Sequence, residues 1–167
     1  MMKSLNDCVR EYGILVYKGD IPLAYRGIID FMLMLRTHFR NNYPELSVSG
    51  NIYQGYMDIT FFTLFPVSFE GQKLKIALVF NHERINFEAW LCGINNQVKT
   101  KYTEIFTKEN WMDYRIPPFT HSQDSILEAD LSLNPDFDQQ ETLTNLIEKG
   151  LWKFIGEVER FLYHTVR

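Results

Sequence analysis

At 167 residues, 46% hydrophobic and 23% charged, the chain has the composition of one ordinary globular domain, neither disordered nor membrane-spanning. A chain of this size buries roughly 70% of its unfolded surface, enough for a sizeable core. A net charge of −4 and a pI near 5.6 exclude the strongly basic surface that nucleic acids and anionic membranes select, so neither is an expected partner.

The first residues, MMKSLNDCVREYG, lack the apolar stretch of a signal peptide, and no run reaches transmembrane length; a cytoplasmic location is the expectation. Residues 4–18 predict a helix with Ser4 as N-cap and an apolar stripe of Leu5, Val9, Tyr12 and Val16. Gly19 is expected to end it in the left-handed conformation. A second helix then starts at Asp20, with Pro22 in its first turn, and runs to about Asn41. Ile21, Ile28, Met32, Leu35 and Phe39 have core spacing on it, while Arg36 and Arg40 suit the negative end of its dipole.

Tyr43-Pro44 marks a turn, and Leu46 to Ser49 a short strand. Gly50 and Gly55 punctuate the way into the next strand. The hydroxyl-rich run SVSG precedes no helix, so it lacks the converging N–H groups of a phosphate loop.

From Tyr56 to Leu91 the chain reads as three antiparallel strands, YMDITFFTLF, LKIALVFN and INFEAWL. In the middle one, Leu74, Ile76, Leu78 and Phe80 alternate with Lys75, Ala77, Val79 and Asn81, the period of a strand with one apolar face. A turn at His82-Glu83 would pair Phe80 with Ile85, Leu78 with Phe87, Ile76 with Ala89 and Leu74 with Leu91. The first strand joins with Met57, Ile59, Phe61 and Phe65 on the same buried face, through a longer loop, PVSFEGQK. One core is then expected to hold Phe61, Ile76, Leu78, Phe87, Phe154 and Val158. The other face is mixed and carries Tyr56, Asp58, Thr60 and Phe62, then Lys75, Ala77 and Val79, then Asn86, Glu88 and Trp90.

Asn95 caps a predicted helix over 96–109, with Val98, Tyr102, Ile105 and Phe106 inward. Pro117-Pro118 breaks regularity in the segment that follows, where Trp111, Tyr114 and Phe119 need a surface to pack on. SILEADL is a further strand, with Leu127, Ala129 and Leu131 inward and Glu128 and Asp130 outward, as suits a sheet edge. The acidic residues of 124–141 read as a solvated edge followed by a helix start. A long amphipathic helix over 139–164 closes the chain, with Asp138 and Glu141 at capping-box spacing.

These elements define an α+β fold: one domain over residues 1–167, with a mainly antiparallel sheet of four to five strands packed by helices and a long C-terminal helix. A helix-grip arrangement is the alternative, weakened by too few strands before that helix.

Standard chemistry is not legible. His38, His82, His121 and His164 are scattered, and no pair has the helical spacing of a zinc site. No nucleophile elbow, Walker loop or dinucleotide glycine pattern occurs. Cys8 and Cys92 make no metal or redox spacing and read as two reduced, partly buried thiols. No cofactor, structural metal or disulfide is expected. A metal-dependent nuclease needs carboxylates on neighbouring strands, yet the predicted register separates Asp58 from Glu88 by roughly 16 Å.

Strings LRTHF at 35–39, GYMDITFF at 55–62, KIALVFNHE at 75–83 and the W-L-x-G-x-N run from Trp90 to Asn95 resemble an uncharacterised bacterial family of small cytosolic proteins, known as a domain of unknown function. The resemblance covers most of the chain and implies no activity.

The mixed sheet face is therefore the candidate site, with Arg36, His38, Tyr56, Asp58, Glu88 and Trp90 as candidate ligand-binding residues. One reading is a non-enzymatic binding module that holds a small molecule or a protein partner there, aided by the aromatic 111–119 segment. The alternative is an enzyme using the Asp58 and Glu88 carboxylates. A groove is expected with Trp90 opposite Lys75 at one end, Asp58 near Asn81 at the other, and Ala77 and Val79 between. The competing expectation is a helix that covers this face and fills it.

Overall fold

Ser4 accepts the Asp7 backbone N–H at 3.2 Å and starts α1, Leu5–Lys18, in the computed structural model, which describes residues 3–111, 113–118 and 124–165. This helix buries none of its residues. Gly19 is extended rather than left-handed, with φ −109. Glycine is needed there for space, since a Cβ would stand 2.8 Å from the Leu15 carbonyl oxygen. Helix α2, Ile21–Asn42, begins with Pro22 in its first turn and buries Phe31, Met32, Leu35 and Phe39, while Ile21 stays exposed. Asp20 gives it no side-chain cap.

Five strands follow: β1 Leu46–Val48, β2 Ile59–Pro66, β3 Leu74–Asn81, β4 Asn86–Gly93 and β5 Ser125–Leu133. They form one sheet in chain order, antiparallel throughout. Between β2 and β3 the connection winds into a 3-10 helix, Val67–Gln72, anchored by buried Phe69 and ended by Lys73 in the left-handed conformation, φ 57.

Two register expectations are corrected. In the β3–β4 hairpin, Phe80 pairs with Phe87, Leu78 with Ala89, Ile76 with Leu91 and Leu74 with Gly93. The Asn81 side chain causes the two-residue shift: its Oδ1 accepts the N–H groups of both Glu83 and Arg84 at 3.1 Å. That builds a turn across His82–Ile85, with Ile85 at φ 47. A two-residue shift preserves the faces, so the inward set of β3 stands. The β2 assignment does not stand. Phe62 lies opposite Leu78 and Leu64 opposite Ile76, so Thr60, Phe62 and Leu64 are buried and Ile59, Phe61 and Phe65 turn to the other face. Tyr56 to Asp58, expected to open this strand, are not strand: Gly55 and Met57 have φ of 59 and 64 and form a turn.

Helix α3, Asn96–Lys108, is capped by Asn95 Oδ1, which accepts the Val98 N–H at 2.9 Å, and α4 runs from Gln140 to Thr165. Tyr102 and Phe106 of α3, the buried stripe of α4 and the core residues of α2 meet the inward side of the sheet in one cluster. Of the six residues expected to share it, Ile76, Leu78, Phe87, Phe154 and Val158 do; Phe61 lies on the opposite face. The aromatic segment is spent on this helical side. Trp111 stacks on both Phe106 and Phe161, with ring centroids at 5.1 and 4.8 Å, and Tyr114 packs edge-on to Phe154 with its hydroxyl donating to Glu157. Phe119 and His121 lie outside the described residues.

Among the described residues, no helix contributes to the cluster on the other, outer face, where Ala77, Val79 and Cys92 pack with Ile59, Phe61 and Trp90. The expectation of a helix filling that face is not met. No helix of the described residues is long and apolar enough to cross a membrane.

Candidate functional site

The outer face is shaped by what β2, β3 and β4 turn away from the helices. Ala77 on the central strand is small, and larger side chains on either side rise above it. Ile59, Phe61 and Tyr53 stand on the β2 side, and Trp90 on β4 lies directly across from Ala77. Tyr53 reaches its place through a backbone pairing with Phe61, and the two rings sit 5.0 Å apart. The result is a groove of about 470 Å³ with an apolar floor. Polar groups converge on it: Asp58 and Thr63 from the β2 side, Lys75 from β3, and Asp124 from the approach to β5. Neither Lys75 nor Asp124 has an ion-pair partner among the described residues. Cys92 lies in the floor, where burial pushes its thiol up to about 12, so it is a neutral, inert lining group.

Lys75 pairs with Cys92 rather than with Trp90. Asp58 does lie beside the Asn81 end, because Ile59 is the partner of Asn81. Its carboxylate builds the turn into β2: Oδ1 accepts the N–H groups of Tyr56 and Ile59, both at 2.8 Å. Those bonds, Ile59 first and then Tyr56, hold the Asp58 carboxyl below its ordinary value.

Next to the groove, β4 and β5 carry an ion network. Glu88 is buried; its Oε1 faces Arg84 Nη1 at 2.8 Å and Asn81 Nδ2 at 3.2 Å, and its Oε2 faces Arg115 Nη2 at 3.4 Å. The same Oε2 accepts the Trp90 indole N–H at 2.6 Å. Arg84 also reaches Asp130 at 3.1 Å, and Arg115 reaches Glu128 at 2.9 Å. Burial alone would lower the Arg84 pKa, but Asp130 and Glu88 more than offset it and raise it. Glu88 is thus saturated, and it fixes the Trp90 ring that forms one wall of the groove.

The remaining candidates lie elsewhere. Arg36 and His38 belong to α2, on the helical side. His38 Nε2 lies 2.6 Å from Glu148 of α4, with Asn42 at its other ring nitrogen, and Arg36 Nε is buried without a hydrogen-bond partner among the described residues. Tyr56 is 92% exposed in the turn before β2. Of the six, the groove gathers Asp58 and Trp90, with Glu88 behind the latter. Sequence reasoning missed Tyr53, Phe61, Lys75 as a free cation, and the two arginines. For Phe61 the signal was present but ambiguous, since both alternations of ITFFTLFP are apolar.

A second cavity, of about 580 Å³, lies between the 3-10 helix and the last turns of α4. Its lining joins buried Phe69 and Leu162 to exposed Tyr163, with Glu159 and Arg160 at the rim; it gathers none of the six candidate residues. No three His, Cys, Asp or Glu side chains gather as a metal ion would require, among the described residues.

Titration at the Asn81 end gives a pH prediction. His82 lies against Thr60, with Nε2 2.9 Å from its hydroxyl, and packs on Tyr25 and Phe80. Burial lowers its pKa, against the opposing pull of Asp58. An imidazole kept neutral in the fold contributes stability above its unfolded pKa of about 6.5, and that contribution is lost as pH falls through the folded value. Asp58, also depressed, contributes above about 4 and loses its share below that. Glu148 behaves like Asp58: burial raises its pKa, but hydrogen bonds from Tyr43 and His38 pull it lower. The melting temperature should therefore fall in two acid stages, one beginning below about pH 6.5 and one below about pH 4. His82→Gln should flatten the upper stage; a wild-type melting temperature constant from pH 8 to 5 would contradict the assignment.

No curated protein and no solved structure matches the chain. The family model described as Domain of unknown function (DUF7000) matches residues 5–162, and the chain belongs to that family.

Proposed function

We propose that this chain is a non-enzymatic binding module that holds a small molecule in the groove of its outer sheet face, and that it works in the bacterial cytoplasm. The observation that carries the reading is an apolar sheet face with aromatic walls and a lysine without an ion-pair partner among the described residues, left uncovered by the helices that pack the other side. Ligand pockets combine these parts: apolar surface for affinity and a few placed polar groups for orientation. Trp90, Phe61 and Tyr53 offer faces to a planar or apolar body. Lys75 offers a charge-assisted hydrogen bond to a carboxylate or phosphate at one end. Asp58 stands at the other end, so the ligand is elongated. Two free cysteines, one exposed and one buried, suit a reducing compartment.

The alternative, an enzyme using Asp58 and Glu88, draws less support. Asp58 spends its carboxylate on the turn before β2, and Glu88 is enclosed by two arginines, an asparagine and an indole.

Tryptophan fluorescence against a panel of elongated aromatic and aliphatic acids tests the proposal. Some member should shift the wild-type emission, Trp90→Phe should abolish that shift, and Lys75→Ala should weaken binding about tenfold, the loss of one charge-assisted contact. A shift that survives Trp90→Phe, or no response from the entire panel, would remove the groove from consideration.

A further inference from the structure

Helix α1 buries none of its residues, yet a helix of its length is marginal in water unless an apolar face packs against something. That face is well formed. Leu5, Val9, Tyr12 and Val16 recur at steps of four, three and four, with Cys8 and Leu15 on the same side, the spacing with which one helix lies along another. Leu5 is 79% exposed, Val9 57%, Tyr12 59% and Leu15 51%. The stripe leaves on the order of 500 Å² of apolar surface open, at the upper end of what a monomer presents in one patch.

We propose that α1 pairs with α1 of a second copy of this chain, stripe against stripe, in a two-fold dimer. A two-fold axis needs one self-complementary patch and no second one, and two such stripes together bury about 1,000 Å², the size from which specific interfaces hold. With the axis crossing the helix between Val9 and Tyr12 in an antiparallel pair, Leu5 meets the partner's Leu15 and Val16. The polar flank is nearly balanced. Lys3 pairs with Glu11 at 2.6 Å and Arg10 with Asp7 at 3.5 Å, unlike the basic flank that holds a helix on an anionic membrane. The outer groove of a second copy is a poorer cover for α1, since docking there would desolvate Asp58, Lys75 and Asp124 against leucine and tyrosine. The dimer therefore leaves the groove free and stands independently of the proposed ligand.

Sedimentation equilibrium of the full chain should give twice the 19.8 kDa monomer mass. The double variant Val9→Glu/Tyr12→Glu should raise the dimer Kd about 100-fold, as loss of central anchors does. Tyr17→Glu, on the polar side of α1, should leave it unchanged. A bismaleimide spanning about 10 Å gives a measurement that needs no variant. Antiparallel pairing sets the two Cys8 residues roughly 7 Å apart along the axis, while Cys92 is buried, so a covalent dimer should form through Cys8. Wild type at monomer mass at every concentration, a dimer indifferent to Val9 and Tyr12, or a monomer that sediments with phosphatidylserine vesicles would each overturn the proposal.

Discussion

Glu88→Ala is expected to cost about 3 kcal/mol of folding stability, read as a lower urea midpoint at unchanged slope. The carboxylate is 1% exposed and has Arg84, Arg115, Asn81 and Trp90 as partners. Its removal leaves the Trp90 indole N–H without its acceptor and takes from each guanidinium one of its carboxylate partners. The cost falls at the low end of the range for broken buried pairs, because Arg84 and Arg115 are 39% and 40% exposed and keep Asp130 and Glu128. Glu88→Gln retains an acceptor for the Trp90 N–H and should lose about half as much. Since Glu88 orients the indole, Trp90 emission should shift in the alanine variant without any ligand. A loss below about 1 kcal/mol would place the network in the class of screened surface pairs.

Leu78→Ala should destabilise by about 2–5 kcal/mol, through lost transfer energy and a cavity that neighbours cannot fill. Leu78 is fully buried on the central strand, between Phe62 on β2 and Ala89 on β4. At roughly 2–4 °C per kcal/mol for a chain of this size, the melting temperature should drop by about 10 °C. Phe61→Ala supplies the contrast: on the outer face and only half-buried, it should cost about 1 kcal/mol. Equal losses at the two positions would mean that the faces of β2 are misassigned.

What the sequence disclosed follows the range of the interactions involved. Ser4 and Asn95 cap their helices through bonds spanning three residues, so local side-chain chemistry was enough. The alternation of β3 has one apolar reading, and its face came out correctly. For β2 the alternation is ambiguous, because Ile59, Phe61 and Phe65 are as apolar as Phe62 and Leu64. Its parity is set by a turn at Gly55–Asp58, whose positive φ values and carboxylate bonds periodicity does not reveal. The hairpin register slipped for a similar reason, since Asn81 ends its strand and also templates the turn. At the site, the strand pattern gave the face of Trp90 but not its partner, which is Ala77 rather than Lys75; Asp58, expected as a strand residue, reaches the groove from the turn before β2. The ion network could not be placed: Arg84 meets Glu88 within the β3–β4 turn, but Asp130 and Arg115 join them only through the β4–β5 pairing and the return of the 113–118 segment.

That returning segment also governs how the sheet meets other chains. Arg115 exchanges both backbone hydrogen bonds with Glu128, N–H to O at 3.1 and 2.8 Å, and so occupies donors and acceptors that β5 would otherwise present outward. Breaks in the pairing register at Phe87/Glu88 and Leu91/Cys92 add local twist to the same border. At the opposite border β1 runs only from Leu46 to Val48. An exposed strand templates aggregation when it is long, flat and unpaired. This sheet ends in one strand that is too short and another that is bent and, at Glu128, already paired, so its open apolar face has little flat border beside it on which amyloid-like stacking would start.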